Sequence, residues 1–396
     1  MTNKRDVVVV SYARTPFGKL GGSLKSLQAV DLGAHAIKSA LEKIDLDPKE
    51  VDYAYLGQVL QAGAGQQPAR QATIKAGLDW ETPALLINKV CSSGIMAIQL
   101  GMMRIQLGKS DVVVAGGMES MSNTPYGLKD MRFGARMFDK NVVDLMVHDG
   151  LWDAFYDRHM AVNGSEVAEE YGVTREEQDE FALRSQKLAV KAMKEGKLKG
   201  QISPIEIKDR KGNVTLVEED EAPRENASLE AMAKLPPVFS KDGSVTAGNA
   251  PGVNDGGAAV VLMSREKAEA LGLEVLATLV DYAEVSQDSK YIPTVPGLST
   301  NKLLKNNNMT VDDIDYFEVN EAFAAVPLVS QKIAKYDLEK VNVFGGAVAF
   351  GHPVGATGAR IVMALIEVLK QKGGKYGVAA ICSGAAQGDA LLVRVD

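Results

Sequence analysis

The most constraining feature of this chain is a recurring unit: a short valine-rich run, then glycine or other small residues, then a helical pattern. Val7 to Val10, Val112 to Ala115, Val260 to Met263, Val341 to Phe344 and Val378 to Ile381 are the clearest such runs. Near-continuous apolar runs suit strands buried on both faces, which requires a sheet layered with helices. Helical periodicity is expected over Ala29 to Ile44, Ser93 to Leu107, Glu176 to Glu195, Lys267 to Leu271 and Gly358 to Lys372. The unit also repeats on a larger scale. Ala40 to Val59 (ALEKIDLDPKEVDYAYLGQV) matches Leu303 to Ala322 (LLKNNNMTVDDIDYFEVNEA) in pattern, and in each half a Gly/Ser-rich turn, a long helix and a strand ending in small residues follow. An order of elements that repeats indicates a duplicated α/β architecture.

Between the halves, about 120–244, the texture changes to more Met, aromatic and charged residues. A helix is expected there, opening on Thr174 with Glu177 three residues later, the pattern of a capping box. This stretch reads as an insertion on one face of the first half, a platform for ligand or for oligomer contacts.

With 396 residues the chain can bury a substantial core, and a net charge of −7 gives no electrostatic case for nucleic acid. No apolar stretch reaches the ~18 residues of a membrane span. The N-terminal apolar run is too short for a signal peptide, and two cysteines make no disulfide framework, so a cytoplasmic protein is expected. No carboxylate and histidine spacing suggests a metal site.

Those two cysteines carry the chemistry. Cys91 lies in LLINKVCSSGIMA and Cys382 in YGVAAICSGAAQGDA, each after an apolar strand and before small residues. Free cysteine is also a small hydrophobe of protein cores; the shared context sets these two apart. Cys91 stands at a helix start, where free N–H groups and the helix dipole favour thiolate and can also hold an oxyanion. His352, one of four histidines, sits among glycines in GGAVAFGHPVGATGAR, a loop expected to fix an imidazole while leaving room for a ligand. Asn320 and Glu321 close the strand FEV, where Asn is either a turn residue or a group that positions water. The glycines of GKLGGSLKS and of Gly248 to Gly257 fit neither a P-loop nor a dinucleotide fingerprint.

Taken together, ARTPFG at Ala13 to Gly18, NKVCSSG at Asn88 to Gly94, GGMESMSNTPY at Gly116 to Tyr126, DGLWDAFYDRHM at Asp149 to Met160, NEAFA at Asn320 to Ala324 and the motif around His352 resemble the thiolase family end to end. The resemblance implies two duplicated βαβαβαββ halves stacked as five αβαβα layers: 1–119 with 245–270, and 271–396, with 120–244 as an inserted loop domain for coenzyme A and oligomer contacts. It implies a reversible Claisen condensation of two acetyl-CoA to acetoacetyl-CoA, with no permanently bound cofactor and a homotetrameric assembly. Cys91 is then the nucleophile, His352 accepts its proton, and Cys382 is the acid and base at carbon. Asn320 holds a water that completes one oxyanion site with His352; the N–H groups of Cys91 and Gly384 form the second. Coenzyme A contacts carried over by resemblance are Leu151, His159, Met160, Arg224, Phe239, Ala247 and Phe323. Met160 and Phe323 crowd the acyl group, which points to short chains.

The chain departs from the family at Ala385 and Ala386, which replace glycines, and at Pro251 and Ala231, which replace serines near the cofactor. Two neighbouring activities share the pattern: a broader-chain 3-ketoacyl-CoA thiolase, and a decarboxylating ketoacyl synthase. The latter usually pairs its cysteine with two histidines or with histidine and asparagine, so Cys382 favours the non-decarboxylating reaction. A non-catalytic carrier or scaffold of the same fold is the alternative from another class, and intact Cys91, His352 and Cys382 argue against it.

Overall fold

The structure, a computed structural model, describes residues 5–396. Nine strands lie along one path: β1 (Val7–Arg14), β2 (Tyr53–Gly57), β3 (Ala84–Ile87), β4 (Val112–Ser120), β5 (Asn254–Ser264), β6 (Ala277–Ser286), β7 (Tyr316–Val319), β8 (Tyr376–Ser383) and β9 (Gln387–Arg394). Their spatial order is β7-β8-β9-β6-β1-β5-β4-β2-β3, and Gly18–Lys19 adds a short tenth strand against β5. The principal helices are α1 (Ala29–Glu42), α2 (Ser93–Gln106), α3 (Met160–Glu170), α4 (Arg175–Lys194), α5 (Val295–Asn306), α6 (Ala325–Ala334) and α7 (Val354–Lys372).

Every residue of β1, β4 and β5 is buried, as strands covered on both faces require. The duplication is visible in the pairing. β2–β4 and β7–β8 are parallel; β4–β5 and β8–β9 are antiparallel, as are β5–β1 and β9–β6. Even an irregularity repeats: the register slips between Val9 and Ser11 in β1 and between Leu279 and Asp281 in β6. The halves meet where Val7, Val8 and Val9 pair with Leu279, Thr278 and Ala277.

Five layers result. α1 covers the outer face of the first half, α5 and α6 that of the second, and α2 and α7 lie between the two halves of the sheet. Glycine permits that middle layer. A Cβ on Gly358 of α7 would stand 2.2 Å from the backbone nitrogen of Ile95 in α2, and one on Gly117 of β4 would stand 1.9 Å from the Gly355 carbonyl oxygen. The glycines following His352 therefore serve close packing of two helix N-termini on the sheet, not room for a ligand. α7 also begins four residues before the expected Gly358, because Gly355 and Gly358 lie inside the helix. Val341 to Phe344 is not a full strand: Val341 alone bridges Phe317 in parallel, at the place where β3 pairs with β2 in the first half.

The stretch after β4 runs over one face as short hairpins with α3 and α4. Thr174 caps α4 as a capping box, its hydroxyl accepting from Glu177 N at 3.2 Å while Glu177 accepts from Thr174 N at 2.7 Å. A buried ion pair of Arg14 with Asp220 (2.7 Å) anchors this stretch to the first half.

Candidate active site

The middle layer brings Cys91 and His352 together, because they stand just before the N-termini of α2 and α7, which cross in contact. Cys382, at the end of β8, completes the group: all three line one cavity of about 230 Å³. Gly384, Leu151, His159, Met160, Phe239, Ala247 and Phe323 line the same cavity, and so does Pro251. Arg224 does not. It is exposed and lines two other depressions, one of them together with Ala231 and Gly248, the neighbour of Ala247. Asn320 is not among the lining residues, although Ala322 and Phe323, two and three residues on, are.

His352 is fixed at its backbone and at its ring. Gly351, at φ +101°, passes so close to Asn254 that a Cβ would stand 2.3 Å from Cγ. Asn254 Oδ1 accepts the His352 N–H at 3.0 Å, and its Nδ2 donates to Gly18 O at 3.0 Å. His352 Nδ1 lies 2.7 Å from Thr357 Oγ1, and that hydroxyl donates to Pro353 O at 2.9 Å. With its single proton committed, the hydroxyl accepts, which assigns the proton of the neutral ring to Nδ1 and the lone pair to Nε2. Nε2 is buried and has no protein partner among the described residues, and the same holds for both polar atoms of the Asn320 side chain. Burial and the cation of Arg360 push His352 down to about 3, so the ring is neutral at rest.

Cys91 differs from the expectation of a ready thiolate. α2 begins only at Ser93, two residues beyond the sulfur. The N–H groups of Gly384 and Cys91 itself favour the thiolate, but burial outweighs them and the charge of Glu119 adds to it, pushing the thiol up to about 12. The resting pair is thus thiol and imidazole. Cys382 is fully buried, and burial first, then proximity to Cys91, raise it well above the usual thiol range.

Three residues unmarked by sequence reasoning shape the site. Thr357 sets the histidine tautomer, and its place five residues after His352 in the first turn of α7 was the available signal. Asn254 was hidden in a glycine-rich segment read only as a failed phosphate loop. Glu119 accepts from Val59 N, Leu60 N and Gly355 N at 2.9, 3.1 and 3.0 Å, securing the N-terminus of α7. Burial pushes it up to about 7. Glu321, by contrast, turns away from the cavity: it accepts from Ser185 Oγ (2.7 Å), Asn342 Nδ2 (2.8 Å) and Val348 N (2.9 Å).

At the mouth, Phe239 stacks on His159 with ring centroids 3.6 Å apart and planes 7° from parallel. His159 Nδ1 accepts from Ala161 N at 3.1 Å, capping α3, and burial pushes the ring down to about 4. The departures at 385 and 386 have a backbone consequence. Ala385 and Ala386 hold φ of +61° and +46°, a left-handed conformation that costs a residue with a β-carbon roughly 1–2 kcal/mol. Ala386 packs in the same core cluster as Cys382, Met160 and Phe323.

Known proteins share this fold and sequence pattern. The family model described as "Thiolase, N-terminal domain" matches residues 7–266, and "Thiolase, C-terminal domain" matches 273–395. The chain is 47% identical to an acetyl-CoA acetyltransferase of Pseudomonas aeruginosa over 99% of its length and 100% of that protein's. It is 48% identical to one of Cupriavidus necator, covering 98% and 99%. The crystal structure of the Bacillus anthracis acetyl-CoA acetyltransferase superposes with a TM-score of 0.96 at 42% identity, covering 99% of each chain. No helix among the described residues is long and apolar enough to cross a membrane. Fold and sequence agree over almost the whole chain: it belongs to the thiolase family.

Proposed function

We propose that this thiolase is an acetyl-CoA acetyltransferase, interconverting two acetyl-CoA with acetoacetyl-CoA and coenzyme A. The observation that carries this is the convergence of two thiols and one imidazole on a single cavity whose Gly384 N–H addresses the Cys91 sulfur. Cys91 attacks the thioester carbonyl as its proton passes to His352 Nε2. The tetrahedral oxyanion is held by the N–H groups of Cys91 and Gly384. Coenzyme A leaves with the proton from His352, and acetyl-Cys91 remains. Cys382 then passes its proton to His352 Nε2, and the resulting thiolate takes a methyl proton from a second acetyl-CoA. Its enolate oxygen is stabilised by His352 and by a water on Asn320, whose unpartnered amide suits that task. The enolate carbon attacks acetyl-Cys91, and the Cys91 thiolate leaves and takes the proton from His352 Nε2, so that both thiols and the neutral imidazole are restored. Thiolysis is the same path reversed.

Leu151, His159, Met160, Phe239, Ala247 and Phe323 would guide acyl group and pantetheine, with Arg224 at the nucleotide end. Pro251 offers no hydroxyl to that path. Met160 and Phe323 limit the acyl chain, which favours acetoacetyl-CoA over longer substrates. The chain divides into 1–119 with 245–270, 120–244 and 271–396; the gap between the two family models, after residue 266 and before residue 273, supports the last boundary alone. A homotetramer acting in the cytoplasm completes the proposal; exposed Tyr126, Leu128, Met131, Phe133, Met137 and Phe138 give the inserted stretch an apolar face that a subunit interface would cover. A monomer mass in light scattering would contradict that assembly.

The activity test is loss of the acetoacetyl-CoA enolate absorbance on adding coenzyme A, in a series of 3-oxoacyl chain lengths. Wild type consumes the four-carbon substrate best and Cys91→Ala consumes none. An inactive wild type, or undiminished turnover in Cys91→Ala, rejects the proposal.

A further inference from the structure

The loop that carries Cys91 is fastened from within to the strand pair that carries Cys382. Lys89 Nζ lies 2.9 Å from Asp389 Oδ1 and also reaches Glu284; the Lys89 side chain is 14% exposed and that of Asp389 fully buried. Asp389 stands on β9 directly across from Ile381, the residue before Cys382. From the other side, the Ser383 hydroxyl donates to Lys89 O. Lys89 N in turn donates to Ser93 Oγ at 2.9 Å, and that hydroxyl donates to Val90 O at 2.6 Å. Between these ties Val90 is held at φ +46°, a strained conformation for a β-branched residue.

Burying a charge pair is a poor way to gain stability, since desolvation can exceed the attraction. Strain persists only where the surroundings over-determine the conformation. Neither Lys89 nor Asp389 takes part in a proton step above. Both features have one thing in common, the relative placement of the two sulfurs.

We propose that the Lys89–Asp389 pair is a clasp that holds the Cys91 loop against the Cys382 strand, making Lys89 and Asp389 positioning residues for the reaction. The clasp keeps the Cys91 sulfur at the Gly384 N–H and facing Cys382. The inference rests on the two cysteines sharing one reaction as proposed above.

Lys89→Met alone leaves a buried carboxylate without its cation, so it lowers the melting temperature. The double variant Lys89→Met/Asp389→Asn removes both charges and separates stability from positioning. Its melting temperature returns close to wild type, while kcat for acetoacetyl-CoA thiolysis stays down by about a hundredfold, the cost of a misplacement near 1 Å. KM for acetoacetyl-CoA is unchanged, and Lys89→Arg, which keeps the charge, recovers most of kcat. A double variant with wild-type kcat, or a defect confined to KM, overturns the clasp. An inactive wild type would instead defeat the acetyltransferase reading, so the two failures are distinguishable.

Discussion

With Cys382 replaced by serine, the protein still takes one acetyl group from acetyl-CoA, but acetoacetyl-CoA formation falls by as much as about ten-thousandfold, the upper range for a positioned acid-base group. The division follows from the geometry. Loading Cys91 needs the sulfur, His352 Nε2 and the N–H groups of Cys91 and Gly384, and none of these depends on the chemistry of residue 382. Removing a proton from a thioester methyl does depend on it, and a hydroxyl is a far weaker acid than a thiol, so serine cannot reach its anion to act as base. The buried position suits the substitution, since Cys382 has no exposed surface and serine is close to it in volume. Quenched-flow measurement is expected to give a burst of free coenzyme A equal to the enzyme concentration and no product after it. Unimpaired condensation, or the absence of a burst, contradicts this assignment of roles.

The second large effect concerns His352 and has a sign in pH. At rest the Cys91 thiol is pushed up to about 12 and the imidazole down to about 3, both chiefly by burial. Neither group changes protonation across the neutral range, so acylation of the wild type is flat in pH from these two groups. The proton moves only as the sulfur attacks. His352→Asn removes its acceptor, and acylation must then draw on the small fraction of thiolate already present. Below the thiol pKa that fraction rises tenfold per pH unit. The variant is therefore slower by about a thousandfold near neutrality, and it gains rate with rising pH where the wild type does not. Parallel pH profiles for the two proteins would show that His352 is not the acceptor. Thr357 enters the same account: it keeps the Nε2 lone pair directed away from the helix, toward the cavity.

Much of this protein is legible in its sequence, for reasons that are local. Val-rich runs such as Val112 to Ala115 cannot be solvated and announce buried strands, and the Thr174–Glu177 box announces a helix start wherever it occurs. Cys91 and Cys382 stand out because each comes at the end of an apolar run and meets small residues, and His352 because it sits among glycines. The rest depends on contacts distant in the chain. Gly355 and Gly358 resemble a flexible loop until α2 is seen pressed against them, so the start of α7 is displaced by four residues. Val341 to Phe344 has the composition of a strand, but only Val341 reaches Phe317. The thiol pKa of Cys91 follows from how deeply the two halves bury it, which a nearby helix start does not report. Lys89 and Asp389 lie 300 residues apart, and each alone reads as a surface charge.

The central claim is that acetyl is carried by one sulfur while the other handles the proton at carbon. The most direct measurement is peptide mapping of the protein after brief incubation with acetyl-CoA and an acid quench. A single acetyl group on the Cys91 peptide, present in wild type and in Cys382→Ser and absent from Cys91→Ala, is the predicted result. Acetyl on the Cys382 peptide, or its persistence without Cys91, would contradict the account.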